Sequence, residues 1–599
     1  MSGEARSFTA DPVVSVAGPL PPIWQEQLVR TVVDENVGLP SEATLTFRDP
    51  YHELLTQTGI TIGLPLKVSV VISEGQAAKQ LFFGEVTSLE LDIDSTGSFT
   101  VVRAMSRAHR LLRGRRVVAF RNMTAAAIVR KVAGNAGLAT GRVEAPAIVY
   151  PGLTQAGVSD WDFLQDLAAQ LGAVVRVDDT GHLDFIAQTP AAGAPTPGTP
   201  ATASPFVLEY GRNLMALRAV LSAVDQVDSV QVRSWNVDAK WANVANRAST
   251  PSSTVRPGLT GPGSFGPATA LVTGTPYGTH AEATAAAAAL AESMSSGVGE
   301  LEAVVEGEPQ LRAGTPVTLS NAGADFSGRY TASAVQHVLD ADSGYRTTVL
   351  VSATPDRTLA GLTAGATQRA RAPRFPGVAT AIVTNIREPG RSERGQVKLK
   401  FPWLDEMYES DWVRTVQWGG QGGGVFSPEV NDEVLVGFEQ GSIDRPYVLG
   451  GLYNGVDAPS PHHVPLIDSA GKVNRRSLVS RKGHRLELVD GLTGPPGVRV
   501  ASGDDRLEIR LDDAKKTIDI TVFSAGGTGP LSSIKLSPRG IALDAGTGSL
   551  TLSAGSISID AGAGSLTQSA GSISVDGRAS VEIDGGALAR LRGRLIEIN

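Results

Sequence analysis

From Gly548 onward the chain repeats short apolar-polar-apolar steps separated by Gly, Ser, Ala and Asp. Leu550-Thr551-Leu552 is answered by Ile557-Ser558-Ile559, and the block Gly548 to Asp560 recurs almost unchanged as Gly564 to Asp576. The period is 16 residues, made of alternating steps of 7 and 9. It fits strands of about four or five residues joined by tight turns, and it excludes helical repeats. Apolar residues two apart share one face of each strand, with the polar residue between them on the other. Ser, Gly and Ala offer little area to bury, so one such chain is expected to be unstable alone. Three copies wound around an axis would bury every apolar face and close every sheet edge. The pattern therefore predicts an intertwined trimeric β-helix needle, placed over residues 481–599.

Upstream, the pattern predicts β structure with helical inserts. Ala43 to Arg48, Lys67 to Ile72, Leu81 to Ile93 and Phe99 to Met105 alternate as strands, with Gly84 as a candidate bulge. Thr124 to Leu138 spaces Ala127, Ile128, Val132 and Ala136 as one helix face and stops at Gly137. Ser159 is the expected N-cap of Trp161 to Leu171, whose face is Trp161, Leu164, Leu167, Ala168 and Leu171, with Gly172 as its stop. A hairpin follows, Val174 to Val177 and His182 to Ile186 around Asp178-Asp179-Thr180-Gly181. His280 to Met294 is an Ala-rich helix. Gly395 to Phe401 alternates Val397, Leu399 and Phe401 inward with Lys398 and Lys400 outward, as one face of a small barrel requires. Asn431-Asp432 forms a turn into a buried strand, Val434 to Phe438, where Gly437 would let another backbone approach.

Pro/Gly-rich stretches divide the chain. Pro190 to Pro205 and Ser249 to Gly278 are expected as loops, Thr354 to Pro373 and Val456 to Val473 as linkers. The resulting division is 1–355, linker 356–373, a barrel-sized segment 374–456, linker 457–480 and the needle 481–599. A chain of 599 residues is too long for one core. It has no cysteine, which removes disulfides, thiol catalysis and Cys-based metal sites. A formal charge of −8 and no Lys/Arg block argue against a nucleic-acid partner. Met1 to Arg6 lacks a signal-peptide pattern and no apolar run reaches transmembrane length, so cytoplasmic synthesis and assembly are expected, with any release by lysis or as part of a larger machine.

Candidate chemistry is sparse. His52-Glu53-Leu54-Leu55-Thr56 begins like a zinc-protease helix but carries Thr56 where the second His belongs. Ser532-Ser533-Ile534-Lys535 matches Ser-x-x-Lys within a strand-like stretch. His462-His463 lies in a Pro-rich linker and is expected to be a solvated loop. Asp504-Asp505 and Asp512-Asp513 are expected at hairpin turns, and Asp560 and Asp576 at strand ends. Gly419 to Gly424 lacks the Lys-Ser/Thr and following helix of a P-loop, and is expected as an inter-strand loop. Trp403, Trp412 and Trp418 are the aromatics a nucleic-acid-binding barrel would stack on, but packing is the expected role. No catalytic, cofactor or metal residue is assigned, and no spacing demands an axial ion.

Several pieces in series carry a family likeness. Phe83-Gly84-Glu85-Val86, Ala108-His109-Arg110-Leu111-Leu112, a helix ending Ala136-Gly137-Leu138, and Ser159-Asp160-Trp161-Asp162-Phe163-Leu164 before a hairpin resemble the hub of the VgrG and phage late-control protein D family. Phe375-Pro376-Gly377-Val378, Gly395 to Trp403, Trp412-Val413-Arg414, Pro428 to Phe438 and Asp444 to Asn454 look like that family's OB-fold spike base. The implied fold class is mainly β with α/β hub inserts: two hub barrels, an OB-fold barrel and the needle. The resemblance implies a structural, non-enzymatic homotrimeric spike of a phage-tail-like contractile injection system. Its hub would form a pseudo-six-fold ring docking an Hcp-like inner tube and baseplate proteins. A PAAR-type tip protein would cap Leu595, Ile596, Glu597, Ile598 and Asn599, whose apolar strand faces need cover. Neither nucleic acid nor stable membrane association is expected. The machine stays open between type VI secretion, a contractile injection particle and a phage tail, with the compact chain leaning to a phage-like particle. A peptidoglycan-cleaving spike would need an enzyme domain for which the segment from Asn454 to about Arg481 is too short. A trimeric adhesin fibre would need a secretion signal or anchor.

Overall fold

The computed structural model describes residues 10–72, 77–223, 226–258, 266–340, 342–352, 375–390, 394–420, 422–491, 495–526 and 529–598. The expected linker 356–373 lies outside them. The chain divides into two compact units, Met1–Asp457 and Ala458–Asn599, and its architecture is mainly β.

The first unit is organised by one antiparallel sheet of ten strands. Six come from the beginning of the chain, in the order Asp11–Val16, Pro65–Val71, Lys79–Asp94, Gly97–Met105, Leu39–Arg48 and Leu28–Asn36. Four come from much later: Ala334–Asp340, Gly344–Val351, Gly299–Glu306 and Leu214–Leu221. The seam between the sets runs from Arg30 opposite Asp340 to Asn36 opposite Ala334. Each set closes over its own core. Leu45, Phe47, Val68, Phe82 and Val102 fill the first. Leu301, Val305, Val317, Leu319, Tyr330 and Val349 fill the second, which a four-stranded sheet of Val207–Glu209, Pro316–Ser320, Gly328–Thr331 and Val255–Pro257 completes.

His337 sits at this seam, fully buried. Its Nε2–H donates to the Leu311 carbonyl at 3.0 Å, and its Nδ1 accepts from the Tyr345 hydroxyl at 3.0 Å. Burial, reinforced by nearby Arg312, pushes its pKa down to about 3, so the ring is neutral and both nitrogens are satisfied.

Two inserts interrupt the strands. In the first, Thr124 Oγ1 accepts from Ala127 N to start helix Ala125–Asn135, and Ser159 Oγ accepts from Asp162 N to start Asp160–Leu171. The second helix stops at Gly172, which takes the left-handed conformation (φ 64°) that a side chain would resist. Ile128, Val129 and Val132 meet Trp161, Leu164 and Leu167 in the shared core. In the second insert, helix His280–Ser296 lays Ala283, Ala286, Ala287 and Ala291 on Val230, Val232 and Ala245 of the hairpin Ser229–Asn236/Trp241–Ala248.

Residues 375–457 form the small barrel: strands Lys398–Lys400, Val378–Asn385, Glu433–Phe438, Pro446–Gly451 and Arg414–Thr415. Val397, Leu399 and Phe401 point into its core as their alternation predicts, and Asn431 makes the turn with φ 74°. The first insert seats it. Val117 and Ala119 pack on its core, Arg121 donates to the Glu409 and Ser410 carbonyls, and Thr154 meets the Tyr408 hydroxyl at 3.4 Å.

Three expectations need correction. Gly84 is in register and not bulged; the irregularities lie at Leu81 and Thr87 on either side. A Cβ at Gly84 would collide with the Met105 carbonyl, so close backbone approach explains the glycine. At Gly437 the neighbour is the Leu449 side chain, 3.3 Å from a built Cβ, and not backbone. Ser249 to Gly278 is not all loop: Val255–Pro257 pairs with Gly328–Tyr330, and Thr269–Val272 runs parallel to Ser229–Val232. β-branched steps between prolines suffice for pairing once a sheet edge is available.

The seam carries a titratable strut. Glu35 accepts from Arg312 Nη2 at 2.9 Å and Ala313 N at 3.2 Å. Burial nonetheless pushes its carboxyl up to about 7 from 4.5, with Asp179 adding and Arg312 opposing. The folded state therefore holds a proton that the unfolded state has released, and stability falls as pH rises through that window. Glu35→Gln is expected to flatten this slope, so its melting temperature should change less than the parent's between about pH 5 and pH 7 in thermal scans.

Candidate functional site

The second unit is a meander in chain order: Arg475–Val479, Arg485–Val489, Gly497–Ala501, Leu507–Asp512, Thr517–Phe523, Pro530–Ser537 and Gly540–Asp544. Every neighbouring pair is antiparallel. The turns sit where the acidic pairs predict. Asp505 and Lys516 take positive φ, and Asp512 accepts from Lys515 N at 2.9 Å.

Strict alternation gives this sheet two unlike faces. On one, Leu486, Val500, Ile509, Ile520, Ile534 and Leu543 stand opposite one another in an unbroken row across six strands. A second row runs beside it through Leu488, Val498, Leu511, Ile518, Leu536 and Ile541. The first row is 40–52 % exposed at every position. An aliphatic face this continuous is a candidate interaction surface.

The other face carries charge and is the better covered one. Glu487 is fully buried, bonded to His462 Nε2 at 2.9 Å and Arg499 Nη1 at 3.3 Å, with the Ser477 hydroxyl at 3.3 Å. Burial pushes its carboxyl up, but His462 and Arg499 more than offset this, and it sits below the ordinary range. Arg499 also reaches Glu508 at 2.6 Å and Asp505 at 2.7 Å. His462 is therefore not a solvated loop residue, as the Pro-rich context suggests. Its side chain is 1 % exposed; its Nδ1 accepts from Val464 N, which leaves Nε2–H for Glu487. Arg475 Nε donating to the Val464 carbonyl and Asn474 to the Pro465 carbonyl hold this strap on the charged face. The signal available in the sequence was the outward polar position of Glu487 between Leu486 and Leu488; its partner, 25 residues upstream, was not legible.

Beyond Asp544 no strand pairing forms among the described residues, and every described residue from 546 to 598 is exposed. The β-helix expected over residues 481–599 is not seen: up to Asp544 the strands form an antiparallel meander, and beyond it only turn corners recur. Asp544 accepts from Gly546 N, Asp560 from Gly562 N and Asp584 from Gly586 N, at 2.8, 2.8 and 3.0 Å. Those glycines have φ of 58, 54 and 54°. Two corners fall 16 residues apart, matching the sequence period. Asp576 makes no such corner, because Arg578 stands where the glycine is needed. Leu595, Ile596, Glu597 and Ile598 are exposed; Asn599 lies outside the described residues.

The other sequence candidates do not converge. His52 precedes the short helix Leu54–Thr58 and bonds Ser98 Oγ at 2.9 Å. Ser532 and Lys535 project from opposite faces of Pro530–Ser537, and Lys535 pairs with Asp519. Gly419 to Gly424, with 421 outside the described residues, joins two strands and precedes no helix. Trp403 packs on Phe375 and Phe401, Trp412 lies under Lys398, and Trp418 meets Phe426 at 4.7 Å. Three separate packings make no stacking platform. Among the described residues no group of three or more His, Cys, Asp or Glu is placed to hold a metal, and no helix is long and apolar enough to cross a membrane.

Residues 379–453 match the family model described as the type VI secretion system/phage-baseplate injector OB domain, and residues 66–341 match one described as the Alg8 N-terminal domain. Among curated proteins, the type VI secretion system spike protein VgrG5 of Pseudomonas aeruginosa is 38 % identical over 104 residues, 16 % of this chain and 13 % of that protein. The actin cross-linking toxin VgrG1 of Vibrio cholerae is 34 % identical over 96 residues, 15 % of this chain and 9 % of that protein. The match thus spans a small part of these relatives' length. A solved Francisella PdpA-VgrG complex is 10 % identical, covers 90 % of this chain and 80 % of that chain, and has a TM-score of 0.47. The resemblance to VgrG spike and phage-baseplate proteins read from the OB-fold motifs is borne out by these matches.

Glu487→Ala would leave Arg499 and His462 buried without their carboxylate, a loss of about 3–5 kcal/mol. Hydrogen exchange across residues 475–512 should accelerate strongly; unchanged protection would mean the cluster does not hold the sheet.

Proposed function

We propose that this chain is the central spike of a phage-tail-like contractile injection system, acting as a trimer. The observation that carries the reading is the pair of aliphatic rows in the second unit. Covering the remaining exposed area of those side chains contributes roughly 1 kcal/mol each, enough in aggregate to offset the cost of ordering three chains. The uncovered face requires another copy, and the OB-fold likeness to spike proteins suggests three. The first unit would form the hub ring on an Hcp-like inner tube and contact baseplate proteins. A PAAR-type tip protein would sit on Leu595 to Asn599. Assembly would occur in the cytoplasm, with release by lysis.

The work of such a spike is mechanical. Sheath contraction supplies the energy, and the chain transmits axial force by staying folded. The spike protein likeness supports a structural, non-enzymatic part. The toxin relative shares too small a portion of its length to bring its cross-linking activity here.

The solution mass of the purified chain is expected to be three times 62.3 kDa. Ile509→Asp combined with Ile520→Asp should lower it toward one chain, as should truncation near Val456; a monodisperse wild-type monomer would overturn the reading. Separately, deleting residues 595–599 should abolish capture of a PAAR-type tip protein while leaving the trimer intact. Undiminished capture would remove the tip site from these residues.

A further inference from the structure

A cavity of about 80 Å³ opens where the small barrel meets both inserts. One wall is helix Asp160–Leu171, which turns Phe163, Asp166, Leu167 and Gln170 toward it, the i, i+3, i+4, i+7 stripe of a single helix face. Further walls come from Leu153 of strand Val149–Val158, from Tyr277 of the second insert, and from Ile443 and Asp444 of the barrel. Asp166 is out of place in such a stripe. It is half-buried, and no hydrogen bond or ion pair among the described residues satisfies its carboxylate. Burial pushes that carboxyl up to about 7, with Asp162 adding to the effect. On the barrel side, burial pushes the Asp444 carboxyl up to about 6 although Thr154 hydrogen-bonds to it. Two acids thus share a mainly apolar cavity whose described lining contains no Lys, Arg or His. Arg445, the cation next to Asp444 in sequence, rests its guanidinium against Gly278 beside Glu282 and is not part of the lining. Taking a carboxylate out of water without giving it a partner costs stability, so such a residue at an open cavity points to a ligand that brings the missing charge.

We propose that this cavity binds an alkylammonium group, its chain against Phe163, Leu167, Leu153 and Ile443 and its charge against Asp166 and Asp444. An ammonium has three donors and no acceptor, which suits two carboxylates and the Gln170 amide oxygen. The space fits a chain of about four carbons, since an apolar cavity of about 150 Å³ holds benzene and this one has roughly half that volume and is open at one side. A metal ion is the poorer match, because no third His, Cys, Asp or Glu joins the two acids among the described residues. The ammonium can come from a free alkylamine or from the lysine side chain of another protein, and the chemistry of the site is the same for both. The cavity lies within the first unit of one chain and does not rest on the trimer.

Ligand-observed NMR titration of the full-length chain at constant ionic strength should show saturable binding of n-butylammonium and not of n-butanol, its uncharged counterpart. Asp166→Asn should weaken butylammonium binding about ten- to hundredfold, the loss that accompanies removal of a hydrogen bond to a charged group. The same variant should melt no lower than the parent, since it removes an unpartnered carboxylate and keeps the shape of the side chain. Nα-acetyl-lysine amide is the second probe: binding tighter than butylammonium would assign the cation to a protein side chain and weaker binding to a free amine, and both support the site. No binding by the wild type, equal binding of butanol, undiminished binding by Asp166→Asn, or a variant melting well below the parent would each overturn the proposal, the last by making Asp166 a structural residue. None of these results changes the solution mass, so the spike reading stands or falls separately.

Discussion

An aliphatic face that the chain builds and does not cover is the constraint on which the second unit turns. From Arg475 to Asp544, period-two alternation puts Leu, Ile and Val on one side of seven strands and Glu, Arg, Asp and Ser on the other. A globular domain resolves such an asymmetry by turning the apolar side inward. Here the chain covers the charged side instead, with the strap through His462 and Val464. The apolar side is left uncovered by the chain's described residues.

The charged side makes that choice stable. Glu487 is buried within reach of His462, Arg499 and Arg485, and Arg499 shares itself among Glu487, Asp505 and Glu508. Each buried charge has hydrogen-bonded partners, so the desolvation cost is offset within the chain. A sheet whose polar face is already satisfied has no competing way to turn over. The direction of the aliphatic rows is therefore settled within the chain.

The first unit solves a different problem with the same means. Two strand sets separated by more than a hundred residues become one sheet because Leu28–Asn36 and Ala334–Asp340 each offer an edge to the other. Neutral His337 fills the seam without an unpaired nitrogen, and Arg312 reaches from the second set to Glu35 in the first. The OB barrel is seated on the insert through Val117, Ala119 and Arg121. These joints tie both strand sets and the barrel into one compact unit.

Local chemistry was legible wherever neighbours in sequence decide the outcome. Ser159 and Gly172 bound their helix as predicted, the Asp178 to Gly181 turn joins its two strands, and Val397, Leu399 and Phe401 face inward. The repeat after Gly548 placed a corner at Asp560, whereas its sequence counterpart Asp576 makes none. All of these rest on residues within a few positions of one another. The sequence by itself thus determined period, capping, turns and the OB-fold motifs. Only tertiary structure decided that His462 is buried against Glu487, that Gly84 faces the Met105 carbonyl and that the two strand sets share one sheet. Those outcomes depend on which distant segment supplies a hydrogen-bond edge or a counter-charge, and no local pattern of apolar and polar residues encodes the partner.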